Sequence, residues 1–126
     1  MPMIESERLW AIVLAGGEGT RLGGLTRWLY GHERPKQYTA LGGTRSLLRQ
    51  TLDRVGRLVP PRQTVVVTMA DHARFLEPEI ADLPGISVLY QPCDRGTAAG
   101  VLMPAHWIHA RDPGATVVVF PTDHFV

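Results

Sequence analysis

Only one cysteine, Cys93, occurs in the 126 residues, so no disulfide can close within the chain and a reducing, cytoplasmic setting is expected. An excess of either charge is missing too: 13 Lys and Arg face 12 Asp and Glu, for a formal net charge of +1. Such a balance gives no bulk field to attract nucleic acid or a membrane surface, so any anion site has to arise from local arrangement. No apolar run approaches the ~20 residues of a membrane helix. Glu5, Glu7 and Arg8 interrupt the start, so a signal peptide is not expected. Internal repeats and low-complexity tracts are absent as well. What remains is an ordinary globular composition, 44% apolar and 20% charged. A single domain of this size buries roughly two-thirds of its unfolded surface.

The apolar patterning alternates between two periods. Leu9 to Ala15 (LWAIVLA) is almost wholly apolar and is followed by glycines, which predicts a strand buried on both faces of a parallel sheet. Gly16 to Gln37, rich in Gly, Arg and Pro, reads as a long loop, and loops of that length inside a compact domain are usually functional. Ser46 to Val59 carries Leu47, Leu48, Thr51, Leu52, Val55, Leu58 and Val59 at helical spacing, with Arg49, Gln50, Asp53, Arg54 and Arg57 on the other face. Pro60 and Pro61 stop it. Thr64 to Met69 is a β-branched second strand, and Asp71 to Leu83 a helix candidate interrupted by Pro78. Ile86 to Tyr90 is a third strand and Gln91 to Gly96 a polar turn. Thr97 is placed to cap a helix reaching about Ala110, apolar nearly all round and so expected to be buried, which Pro104 should kink or restart. Thr116 to Phe120 is a fourth strand. This alternation predicts a Rossmann-like α/β fold, a mainly parallel sheet with helices on both faces. Ligands of such sheets sit at the carboxyl ends of the strands, the edge reached by the glycine loop, by Gln91 and by Asp123.

The chemistry-bearing residues cluster in that loop and at those strand ends. In Ala15-Gly16-Gly17-Glu18-Gly19-Thr20-Arg21-Leu22, three glycines let the backbone approach a ligand closely, and successive N–H groups can cradle phosphate oxygens. Arg21 adds a planar cationic fork suited to phosphate. A flexible turn is the plainer alternative. The Walker loop GxxxxGK[ST] is excluded because no glycine precedes a lysine, and the dinucleotide pattern GxGxxG fails at Leu22. Lys36, held between Pro35 and Gln37, is a placed cation closing the loop. Asp123, after an apolar strand, suits a hard cation such as Mg²⁺, which prefers carboxylate and phosphate oxygens. An Asp capping the next turn is its plainer alternative. His106 and His109, three apart on the apolar helix, read as structural, as does His124. Cys93 lacks a base at recognisable spacing, and Trp10, Trp28 and Trp107 read as core or loop anchors.

LAGGEGTRL followed by PKQY resembles the opening of the sugar nucleotidyltransferase family, whose pattern is roughly GGxGxRLxPLT…PK. Ser46-Leu47-Leu48-Arg49-Gln50-Thr51, Gln91-Pro92 with Arg95-Gly96-Thr97-Ala98, and Phe120-Pro121-Thr122-Asp123-His124 are similar to the mannose-1-phosphate guanylyltransferase branch. The resemblance runs from about Trp10 to the last residue. Departures are Gly23-Gly24 before Leu25, a small insertion at Trp28 to Glu33, Gly96 for the usual Asn and Gln91 for the usual acid.

The resemblance implies transfer of a nucleotidyl group from an NTP, GTP by the branch, to a sugar-1-phosphate, mannose-1-phosphate by the branch. It implies Arg21, Lys36 and Asp123 as catalytic residues, with Asp123 holding Mg²⁺. Ala15, Gly16, Gly17, Gly19, Thr20, Arg21, Gln91 and Thr97 would contact the nucleotide. Partners would be small molecules, with no nucleic acid or membrane and with room for a homo-oligomer. Residues 1–126 would be the NTP-binding N-terminal domain, incomplete on its C-terminal side, the sugar pocket and a second metal carboxylate being supplied by further sequence in the family. A regulatory nucleotide-binding module and an inactive fragment are the other readings.

Overall fold

The computed structural model describes residues 8–15, 46–91 and 96–122, with backbone alone for 96–99. Among the described residues four strands form one parallel sheet: β1 (Leu9–Leu14), β2 (Thr64–Met69), β3 (Ser87–Gln91) and β4 (Thr116–Pro121). Their order is β3-β2-β1-β4, so the first strand in the chain lies inside the sheet. Ala11 stands opposite Thr64 on one side, while Leu9 stands opposite Thr116 on the other. Val65 pairs with Ser87 and Met69 with Gln91.

The helices follow from this order. The path from β1 through β2 to β3 moves one way across the sheet, carrying helices α1 (Leu47–Val55) and α2 (Ala73–Ile80). The step from β3 to β4 runs back the other way, carrying α3 (Gly96–Arg111). Right-handed crossovers then require α1 and α2 on one face and α3 on the other. The core divides accordingly. Ala11, Val13 and Val66 pack with Leu48, Leu52, Val55, Phe75 and Leu76, and Ile12, Val65 and Val67 pack with Ile108. Each fully buried aliphatic side chain contributes roughly 1.5–3 kcal/mol. All six residues of β2 are buried, as expected for a strand covered on both faces and both edges.

Local chemistry sets the element ends. Ser46 caps α1, its Oγ accepting from the Arg49 N–H at 3.0 Å. The helix stops at Val55, four residues before the predicted end, because Gly56 weakens its continuation and i→i+3 bonds such as Leu58 N–H to Val55 O tighten the last turn. Val59 is nonetheless buried, as its spacing predicts. Gln63 Nε2 donates to Leu9 O at 2.6 Å and so anchors the amino end of β1. Pro78 lies inside α2, which continues two residues past it to Ile80.

α3 corrects two expectations. It starts at Gly96, so Thr97 lies within its first turn instead of at the cap. It is also not buried all round: Gly100, Pro104 and Ile108 form the buried stripe at i, i+4 and i+8, whereas Leu102 is 68% exposed and His106 and His109 face solvent. Pro104 neither ends nor restarts the helix. At its carboxyl end, Trp10 Nε1 donates to Asp112 Oδ2 at 3.3 Å, the Trp10 and Trp107 rings meet edge to face, and the Arg111 guanidinium lies 3.5 Å over Trp107. Trp10 and Trp107 are thus anchors, as expected; Trp28 lies outside the described residues.

Arg49 departs from its predicted place on the exposed face of α1. Its side chain is half-buried, and its guanidinium forks onto both Asp82 oxygens at 2.6 and 2.9 Å, donates to Glu79 O at 2.9 Å, and reaches Asp53 through Nε at 3.2 Å. The Asp82 hydrogen bond holds its pKa above the already high ordinary value, against the opposing effect of burial. Arg49 therefore joins α1 to the end of α2.

Candidate functional site at the carboxyl edge of the sheet

The chain leaves β1 toward β2 on one side, while β4 arrives on the other, so the direction of winding reverses between β1 and β4. In open α/β sheets that switch point opens a crevice outside the carboxyl ends of the strands, where ligands bind. The residues at its rim are Leu14, the last of β1, with Ala15 after it, and Pro121, the last of β4, with Thr122 after it.

This rim is held by hydrogen bonds across three strands. Ala15 N–H donates to Val67 O at 2.8 Å, continuing the ladder one residue past β1. Thr68 Oγ1 donates to Ala15 O at 3.1 Å from the β2 side. Thr122 Oγ1 donates to Leu14 O at 2.7 Å from the β4 side. Ala15, Thr68 and Thr122 are all buried. Two successive carbonyls, the last before Gly16, are thus bound on opposite sides by hydroxyls of the two neighbouring strands. Thr122 also immediately precedes Asp123 in the chain. The hydrogen bond from Thr122 to Leu14 therefore ties together the two points from which the glycine loop and the metal-ligand candidate depart.

Of the sequence-predicted site residues, Ala15 sits at this rim. Gln91 is the last residue of β3 rather than the first of a turn; it pairs with Met69 and is buried at 6% exposure, two strands from β1. Thr97 falls in the first turn of α3, which follows β3 at the same edge. Gly16, Gly17, Gly19, Thr20, Arg21, Lys36 and Asp123 lie outside the described residues, as do Cys93 and His124. Among the described residues no three His, Cys, Asp or Glu side chains stand together as a metal site, and no helix is long and apolar enough to cross a membrane. The sequence reading gave no role to Thr68 or to Thr122. The available signal was a hydroxyl at the end of an apolar strand, since a buried hydroxyl needs a partner.

Comparison with known proteins bears on the family and the fold. The family model described as Nucleotidyl transferase matches residues 10–126. A mannose-1-phosphate guanylyltransferase 2 of Escherichia coli O157:H7 is 31% identical over 120 residues, covering 92% of this chain and 24% of that protein. The alginate biosynthesis protein AlgA of Pseudomonas putida is 32% identical over 120 residues, covering 91% and 23%. The chain thus spans about a quarter of the length of the curated relatives it matches. A crystal structure from Thermus thermophilus, described as a mannose-1-phosphate geranyltransferase, superimposes with a TM-score of 0.77 at 36% identity, over 94% of this chain and 33% of that one. A nucleotidyl transferase from Methanothermobacter thermautotroptrophicus shares the fold, with a TM-score of 0.64 at 20% identity, over 92% of this chain and 50% of that one. This chain belongs to the nucleotidyl transferase family.

Proposed function

We propose that this member of the nucleotidyl transferase family forms the nucleotide-binding part of an enzyme that joins an NTP, GTP in particular, to a sugar-1-phosphate, mannose-1-phosphate in particular. The products are the NDP-sugar and pyrophosphate. The observation that carries the reading is the switch point: Thr122, next to Asp123, is hydrogen-bonded to Leu14, two residues before Gly16. A glycine loop and a carboxylate departing from adjacent strand ends suit a bound nucleoside triphosphate. The choice of GTP and of the mannose sugar draws on the guanylyltransferase relatives, which are about 30% identical.

In this reading an oxygen of the sugar phosphate attacks the α-phosphorus in line, a P–O bond forms, and the bond to the β-phosphate oxygen breaks to release pyrophosphate. Positioning and charge neutralisation supply the catalysis, with no covalent enzyme intermediate. The amides of Gly16, Gly17, Gly19 and Thr20 cradle phosphate oxygens, and Arg21 neutralises the departing pyrophosphate; Ala15, whose own N–H donates to Val67 O, is the fixed residue next to the nucleotide from which they start. Lys36 holds oxygens near the α-phosphorus. Gln91 and Thr97, which follow β2 outward to β3 and α3, contribute on the base and ribose side. Asp123 would hold Mg²⁺, which would supply charge neutralisation at the reacting centre. The hydroxyl of Thr122 fixes the strand end from which Asp123 departs.

Equilibrium titration of the chain with GTP in excess Mg²⁺ tests the reading, with UTP, ATP and CTP as competitors. Saturable binding with GTP preferred is the expected result. A folded chain that binds none of them would refute it.

A further inference from the structure

We propose that Thr68 and Thr122 are positioning residues, a two-sided hydroxyl brace that sets the direction in which the chain leaves β1 for the glycine loop. The functional consequence rests on the nucleotide-binding reading above, whereas the brace itself rests on geometry. Leu14 O accepts from Thr122 Oγ1 at 2.7 Å, and Ala15 O accepts from Thr68 Oγ1 at 3.1 Å. The donors come from the strands on either side of β1, so the two carbonyls are held in opposite directions. A peptide unit is planar, and fixing a carbonyl therefore fixes the amide that follows it. Holding the carbonyl of Ala15 constrains the peptide that begins the loop. Holding that of Leu14 locks the preceding peptide, whose N–H, on Ala15, already donates to Val67 O at 2.8 Å. Phosphate cradles depend on the direction of successive N–H groups, so their first member has to be aimed before any ligand arrives. Thr122 has a second effect: because Asp123 follows it, the same hydrogen bond fixes the spacing between the loop's origin and the carboxylate's origin.

Packing alone would also bury a threonine, and the two roles make opposite predictions. Thr68 is 0% exposed and Thr122 4%. Valine keeps the shape of threonine and loses the hydroxyl; serine keeps the hydroxyl and loses a buried methyl. If the side chains only fill space, Thr→Ser is the more damaging change. If the hydroxyls position the loop, Thr→Val is.

The experiment uses the whole chain and four variants, Thr68→Val, Thr68→Ser, Thr122→Val and Thr122→Ser. Each is measured for thermal melting, for mant-GTP affinity in excess MgCl₂, and for the ¹H–¹⁵N resonances of Gly16 and Gly17. The expected result is a loss of about fivefold or more in affinity for each valine variant, the worth of one net hydrogen bond. Each serine variant should stay within about twofold of the parent even where its melting temperature is lower. Equal affinity of parent and valine variants, or serine worse than valine, overturns the brace. Should Thr68→Val fail to fold, the Thr122 pair decides alone. If the parent chain does not bind mant-GTP, the nucleotide reading fails separately and the resonances judge the brace. Gly16 and Gly17 signals displaced by valine and restored by serine support it, and unmoved signals overturn it.

Discussion

Arg49→Ala should destabilise the chain substantially, and the structure allows the size to be worked out. The substitution removes a bidentate contact to Asp82, a hydrogen bond to Glu79 O and a helical i,i+4 pair with Asp53. Asp82 is 66% exposed, so solvent screens that pair and it adds ~0.5–1 kcal/mol despite its fork. The bond to Glu79 O is charge-assisted and leaves from a side chain only 14% exposed, so it contributes ~1–1.5 kcal/mol. Asp53 adds ~0.3 kcal/mol. These terms share one side chain and are not fully additive, giving a loss of about 2 kcal/mol. At ~3–5 °C per kcal/mol for a domain of this size, the melting temperature should fall by about 6–10 °C. Far-ultraviolet circular dichroism of parent, Arg49→Ala and Arg49→Lys measures it, and lysine should recover less than half the loss because it cannot fork. The sign of the linkage also matters. A guanidinium whose folded pKa is raised keeps its full contribution below its unfolded pKa and loses it only above that value, beyond any working pH. The Arg49 contribution should therefore be flat with pH from neutral to mildly alkaline and should weaken with salt. A shift under about 2 °C, or a lysine variant equal to the parent, would refute the bridging role.

Ile108→Ala should cost ~2–5 kcal/mol in chemical denaturation, because Ile108 is the fully buried contact of α3 with Ile12, Val65 and Val67. Ser46→Ala should cost ~1 kcal/mol by removing the side-chain acceptor for the Arg49 N–H, read by the same method. Arg21→Ala should weaken Mg·GTP binding by ~1.5–3 kcal/mol in calorimetric titration if Arg21 grips phosphate, and unchanged affinity would remove it from the site. Val119→Lys, on β4, the outer strand among the described residues, where Val118 and Val119 are 37% and 38% exposed, should lower light scattering on heating, since a charged edge resists strand pairing.

The parallel sheet was legible in the sequence because its strands are short, apolar and β-branched, and each is separated by a helical period. TVVVTM, β-branched throughout its centre, reads as a strand, and the structure adds that it is buried at all six positions. Strand order was less accessible. Nothing in the period of β4 says that it pairs with β1 rather than β3, and that pairing creates the switch point. Helix limits shifted where one residue outweighed periodicity: Gly56 shortened α1, while Pro104 was absorbed in α3. The breadth of the apolar surface of α3 misled for another reason. Apolar composition sets what a helix can bury, whereas the neighbouring sheet sets what it does bury, and here that is the stripe through Gly100, Pro104 and Ile108.

The same distinction explains the site. Motif reading finds residues whose chemistry is visible in their type, such as glycines beside an arginine or an aspartate after a strand. It passes over Thr68, and it includes Thr122 in the stretch Phe120 to His124 without giving it a role, because threonine is an ordinary strand residue and its hydroxyl acquires a function only from what it faces. What it faces depends on strand order. Thr68 and Thr122 lie 54 residues apart in sequence, by subtraction of their numbers, yet their hydroxyls hold adjacent peptides because β2 and β4 flank β1. Arg49 shows the converse: it belongs to a motif-like stretch, but its guanidinium is committed to Asp82, Asp53 and Glu79 O. A residue's place in a motif therefore does not assign it to ligand binding, nor does absence from one exclude it from shaping the site. In the proposed reading, the parts that aim the loop come from the sheet, and the parts that would contact phosphate come from the loop. Substitutions in the first group should change affinity in step with Gly16 and Gly17 geometry. Those in the second should change affinity and leave that geometry intact.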